Sequence, residues 1–99
     1  MNLCLALKAL ANDKRLQIVH WLKQPSQHFS STHCNVDIDG VCVGLIEKKI
    51  GLSQSTVSQY LLQLQQAGLI IMERRGQWTY CKINRTNIEL FLEQLKQLL

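Results

Sequence analysis

The sequence predicts a mainly α domain carrying one small β-hairpin, in the order α-α-α-α-β-β-α. Three observations carry that expectation. Apolar residues recur at helical spacing through five stretches of a 99-residue chain. Between Leu69 and Ile83 the period shortens to that of strands, around a Gly76-Gln77 turn. Helical spacing then returns after Arg85 and runs to Leu99.

Ninety-nine residues correspond to one domain, expected to span 1–99, which can bury a core unaided. The apolar fraction of 46% is that of a globular chain. A net charge of +4 points weakly to a polyanionic partner. The apolar run Leu3 to Ala11 is broken by Lys8 and has no cleavage-site pattern, so neither a signal peptide nor a membrane anchor is expected. A cytoplasmic location follows as an expectation. There the four cysteines, Cys4, Cys34, Cys42 and Cys81, would be reduced at rest and free for metal or redox chemistry.

In chain order, Leu3 to Ala11 reads as a helix that is apolar nearly all round. Asn12 caps a second helix, Asp13 to Gln24, with Asp13 at the positive end of its dipole and Leu16, Ile18, Val19 and Leu22 on its apolar side. Pro25 stops it. Pro25 to Gly40 is a long polar connection holding His28, His33 and Cys34, and the alternation of Val36 and Ile38 suggests a short edge strand there. Val43 to Ile50 is a third helix, buried through Val43, Ile46 and Ile50 and closed by Gly51.

The next helix organises the rest. Ser53 is its N-cap and Gly68 its stop. Val57, Tyr60, Leu61 and Leu64 form one apolar face; Gln54, Ser55, Ser58, Gln59 and Gln63 lie on the other. A helix anchored from behind and presenting amides and hydroxyls outward suits base edges in a DNA major groove. Preceded by a helix and a Gly-containing turn, it forms a helix-turn-helix pattern. The hairpin that follows carries Arg74, Arg75, Lys82 and Arg85, with Trp78 and Tyr80 beside them. That suits phosphate or minor-groove contact. Thr86-Asn87-Ile88-Glu89 reads as a capping box opening the last helix. Ile88, Leu92, Leu95 and Leu99, widened by Leu90, Phe91 and Leu98, exceed what one small core can cover. Pairing of both terminal helices in a symmetric homodimer would cover them.

This order of elements is that of a winged helix-turn-helix. Ala9 to Ile18 resembles the opening signature of the arsenic-repressor (ArsR/SmtB) family of bacterial regulators. Leu52 to Leu61 resembles its recognition-helix signature, and Leu64 to Leu69 with Arg75 to Tyr80 resembles its approach to the wing. The match covers nearly the whole chain except the long connection. The resemblance implies a homodimeric DNA-binding transcriptional regulator, usually a repressor on an inverted-repeat operator that an effector releases. It implies that Gln54, Ser55, Thr56, Ser58 and Gln59 face double-stranded DNA and that Arg74, Arg75 and Gly76 form the wing tip. The outward face of the reading helix has no Arg or Lys, so grip is expected from Lys48, Lys49, the wing arginines and the helix start at Ser53.

The family's thiolate site is not reproduced: in Val41 to Glu47 only Cys42 matches, and Gly44 and Glu47 stand where thiolates are needed. The last helix has Glu89 and Glu93 but no His, so the zinc pattern of other members fails too. Three readings stay open. Cys34 and Cys42 form a redox pair, with Cys42 activated by a helix N-terminus. Alternatively His28, His33, Cys34 and Cys42 collect zinc or another soft metal, which would make the chain a metal-responsive repressor. Otherwise the histidines are solvated and the thiols pack. Cys4, Cys81 and His20 read as structural. A rival class is a protein-interaction module docking through the Gln-rich helix. An enzyme is not expected: only Cys42 with His33 imitates a nucleophile pair, without an evident oxyanion donor.

Overall fold

The computed structural model describes all residues, Met1–Leu99. Six α-helices, one 3₁₀ turn and three strands follow in order: α1 Leu3–Leu10, α2 Asp13–Lys23, the 3₁₀ turn Pro25–Gln27, α3 Val36–Asp39, β1 Val41–Cys42, α4 Val43–Ile50, α5 Gln54–Gln66, β2 Ile70–Arg75, β3 Trp78–Ile83 and α6 Arg85–Leu98. The strands form one antiparallel sheet in the order β1-β3-β2. No helix is long and apolar enough to cross a membrane.

The helix boundaries follow their capping chemistry. The Asn12 side chain accepts from Lys14 and Arg15 N–H at 2.9 and 3.0 Å. Ser53 Oγ accepts from Thr56 N–H at 3.3 Å and opens α5. At the other end of α5, Gly68 N–H reaches the Gln65 carbonyl and Leu69 N–H the Leu64 carbonyl. This double bond pattern needs a left-handed residue, which Gly68 supplies with φ +78°. Gly51 ends α4 in the same region, with φ +71°. That lets α4 and α5 turn sharply into one another.

Ile18 and Leu22 of α2, Ile46 of α4, and Val57, Leu61 and Leu64 of α5 are almost fully buried, together with Val41, Leu69 and Cys81. The sheet therefore packs on the helical core through β1 and the start of the wing. Arg15 joins α1, α2 and α5. Its guanidinium donates to the Ala9 and Lys8 carbonyls at 2.7 and 3.1 Å and lies 5.3 Å from the Tyr60 ring centre. It thus satisfies the C-terminal carbonyls of α1 while packing against α5. Leu5 and Leu7 of α1, Leu16 of α2, and Leu90, Leu92 and Leu98 of α6 remain exposed, Leu98 at 70%.

Three expectations need correction. The segment with Val36 and Ile38 is helical, not a strand. Asn35 accepts from Asp37 and Ile38 N–H at 3.0 and 3.3 Å, which starts a turn of helix with Val36 buried and Ile38 exposed. The two-residue alternation reflected a cap, and the true edge strand lies downstream at Val41–Cys42. The 25–41 connection is therefore not a bare loop, since it holds a 3₁₀ turn, α3 and the start of β1. The last helix is capped by Asn84, whose side chain accepts from Asn87 N–H at 3.2 Å, so Thr86 lies inside the helix. Asn87 is then free to donate to the Gly68 carbonyl at 2.9 Å, tying α6 to the end of α5.

Candidate nucleic-acid interface

Helix α5 is held from behind by Val57, Leu61 and Leu64, so the residues between these positions must face away from the core. Gln54, Ser55, Ser58 and Gln59 are exposed. With 3.6 residues per turn, Ser55 and Gln59 stand opposite the buried face, while Gln54 and Ser58 lean toward the wing. Those two line a groove of about 390 Å³ with Cys42, Glu47, Trp78 and Thr79. Thr56 is half-buried, and its hydroxyl accepts from Ser53 Oγ at 2.9 Å. Part of its hydrogen-bonding capacity is thus engaged in holding the helix start.

The wing is a regular hairpin, with Arg75 paired to Trp78 across the Gly76-Gln77 turn. Gly76 has φ +62°, the conformation a two-residue hairpin turn needs at its first central position. Arg74 is exposed and donates only to the Gly76 carbonyl, at 3.3 Å. Arg75 is more committed. It lies 3.3 Å from Glu73 and 3.4 Å from Asp39, donates to the Asp39 carbonyl at 2.9 Å and sits 4.3 Å from the Tyr80 ring centre.

The two lysines of α4 also differ. Both sit in the last turn, where cations suit the helix dipole. Both are exposed, but only the Lys49 ammonium has aromatic neighbours, 5.2 and 5.7 Å from the Trp21 and Phe29 ring centres. Lys49 therefore braces α2 against α4, a role its sequence position did not suggest.

The Cys and His candidates divide. No three His, Cys, Asp or Glu side chains converge in a geometry that could hold a metal ion. His28 packs near His20, with ring centres 5.4 Å apart, while His33 stacks on Trp78 at 4.7 Å and 24°. The set His28, His33, Cys34 and Cys42 therefore does not fit zinc as a single site. Cys34 and Cys42 do share a neighbour. Tyr80, paired with Cys42 across the sheet, has its phenol pKa raised, first by burial and then by the neighbouring Cys34, with Arg75 acting in the opposite direction and Cys42 adding to the rise. Cys34 is half-buried with its Sγ 4.0 Å from the Gly40 carbonyl, and Cys42 is buried at the start of α4. Cys81 is a core residue whose thiol burial pushes up to about 12, and Cys4 is exposed on α1.

The description "Bacterial regulatory protein, arsR family" matches residues 41–71, which hold β1, α4, α5 and the start of the wing. Over 91 residues the chain is 47% identical to the uncharacterized HTH-type transcriptional regulator YbzH of Bacillus subtilis, covering 90% of each protein. The chain belongs to the ArsR family. Solved ArsR-like structures superpose on nearly all of it. HlyU from Vibrio cholerae gives a TM-score of 0.66 at 29% identity, covering 96% of this chain and 88% of that one. A homodimeric winged helix-turn-helix DNA-binding domain from Mycobacterium bovis gives 0.67 at 29% identity, covering 95% and 76%. The long connection, which the sequence resemblance left out, lies within that span. Three contributors to the ArsR wing and its supports had no sequence signal for that role: Asp39, His33 and Arg15. Each acts through a partner distant in the chain, Arg75, Trp78 and Tyr60 respectively.

Proposed function

We propose that this ArsR-family chain is a homodimeric, sequence-specific DNA-binding repressor acting on an inverted-repeat operator. The observation that carries the reading is helix α5. Its buried face is fixed by three core residues, and its free face offers Gln54, Ser55, Ser58 and Gln59 without a single charge. Gln pairs bidentately with adenine at N6 and N7, and Ser adapts to donors or acceptors. Phosphate grip comes from Lys48, Arg74, the Gly76 turn backbone and the N–H groups at the Ser53 helix start. The relative from Mycobacterium bovis is homodimeric, and on this chain exposed Leu5, Leu7, Leu90, Leu92 and Leu98 of the terminal helices need cover, which supports pairing there. A regulator acting on bacterial DNA works in the cytoplasm.

Anisotropy titration of its own upstream DNA tests the reading. Binding should be specific for an inverted repeat and should weaken steeply with salt. Light scattering should give twice the chain mass, and Leu98→Glu should abolish both dimer and binding. Salt-independent binding, or none at low salt, refutes it.

A second reading concerns the effector. Cys42 pairs with Tyr80 of the wing strand and Cys34 Sγ lies 4.0 Å from the carbonyl of Gly40, two residues before Cys42, which supports a thiol pair beside that strand. On oxidation by peroxide, two thiols lose two protons and two electrons to form one S–S bond, and the peroxide becomes two waters. Mass spectrometry of treated protein should find the Cys34–Cys42 link together with a fall in DNA affinity. Unchanged affinity in the linked protein removes the sensing role.

A further inference from the structure

The segment Ser31–Gly40 touches the wing at both sides of its turn. Arg75 ends β2 and Trp78 begins β3, and the two are paired across the hairpin. Asp39 takes the first: its Oδ1 lies 3.4 Å from Arg75 Nη1, and its carbonyl accepts from Nη2 at 2.9 Å. His33 takes the second through the stacked ring pair. We propose that Asp39 and His33 are positioning residues, which hold Arg75 and Trp78 and so set the pose of the wing for DNA contact. The inference rests on the DNA-binding reading above.

A positioning element must itself be firmly placed, and this one is. The other carboxylate oxygen of Asp39 accepts from Asn35 N–H at 2.9 Å, closing α3 into a compact turn. Ser31 Oγ meets His33 Nδ1 at 3.3 Å and orients the ring. Immediately after Asp39 the chain is pinned to the wing strand, since Val41 pairs with Cys81 and Cys42 with Tyr80. Gly40 makes the approach feasible. Its φ is +94°, and a Cβ there would come within 2.9 Å of the Cys81 carbonyl oxygen. The brace thus stands on the same strand whose tip it steadies.

The two wing arginines therefore have different tasks. Arg75 has Asp39, Glu73 and the Tyr80 ring around it, so its charge is largely answered within the protein. It serves as a strut between segment and wing. Arg74 points to no carboxylate, which leaves it to a phosphate. A flexible hairpin would have to be ordered on binding at a cost in affinity; a braced one meets DNA already placed.

The experiment uses the full chain and its upstream DNA, in a Trp21→Phe background that leaves Trp78 as the sole tryptophan. Asp39→Asn and His33→Ala are each measured by Trp78 emission, acrylamide quenching, melting temperature and DNA affinity at several salt concentrations. The expected result is more readily quenched Trp78 in both variants, with affinity lower by roughly five- to tenfold. The salt slope should stay as in the parent, because every phosphate-binding cation is retained, and the melting temperature should hold. Arg74→Ala should instead flatten the slope. Parent-like affinity and quenching in both variants overturns the proposal. So does tighter binding by Asp39→Asn together with a flatter slope for Arg75→Ala, which would make Arg75 a phosphate ligand that Asp39 restrains. Absence of DNA binding by the parent is a different failure: it refutes the DNA-binding reading itself.

Discussion

Replacing Gln59 by alanine should separate sequence reading from grip. Gln59 lies opposite the buried face of α5 and is exposed, so truncation should change folding stability by no more than about 0.5 kcal/mol. On DNA the same truncation removes a bidentate amide–adenine pair, worth about 1–3 kcal/mol of discrimination. A symmetric dimer presents the residue once to each half-site. These positions are well separated, so the losses add to about 2–6 kcal/mol per dimer. Even the lower bound is roughly a 30-fold loss of affinity. Fluorescence anisotropy on the parent operator, and on operators with one A·T pair per half-site changed to G·C, gives the measurement. The variant should bind parent and substituted operators alike at that base pair, with an unchanged salt slope. Arg74→Ala should do the opposite, weakening all sequences alike and flattening the slope by about 0.9 for each phosphate no longer neutralised. A loss below twofold for Gln59→Ala, or a loss spread evenly over every sequence, refutes the placement of Gln59 at a base edge.

Leu64→Ala should destabilise the fold by about 3–5 kcal/mol in urea titration, because Leu64 is fully buried and a cavity would open behind the reading helix. Native-state alkylation with iodoacetamide should modify half-buried Cys34 slowly. It should spare Cys81, whose thiol is pushed up to about 12 by burial, and only denaturant should expose that residue. Asp39 is held below its ordinary 3.8, by the Asn35 N–H first and by the Arg75 side chain as well. Its folded-state advantage is complete above 3.8 and is lost as pH falls through the lower folded value, so the Asp39–Arg75 ion pair should persist at mildly acidic pH. Carboxyl NMR titration against Asp39→Asn checks this, and a midpoint above 3.8 would contradict it.

Much of the fold that frames the candidate interface was legible in the residues because its signals are local. Caps at Asn12 and Ser53, stops at Gly51 and Gly68, and the change of period after Gly68 each act within a few residues. The same locality explains the errors. Val36 and Ile38 alternate like a strand, yet Asn35 can satisfy two N–H groups and turn the chain. Thr86 resembles a cap, yet Asn84 reaches Asn87 first. A residue type suited to several local structures is decided by what it packs against.

The sequence by itself determined the order of the five longer helices, the hairpin, the uncharged outer face of α5 and the family resemblance, since these rest on periodicity, short-range capping and local motifs. Tertiary structure alone decided which cations are free. Arg75 and Arg74 are adjacent and chemically alike, but only Arg75 meets Asp39, 36 residues earlier in the chain. Lys48 and Lys49 differ likewise, because only Lys49 lies over Trp21 and Phe29. Whether a charge is answered within the protein or left for a partner depends on groups brought together by folding, and such pairs leave no periodic mark in the sequence.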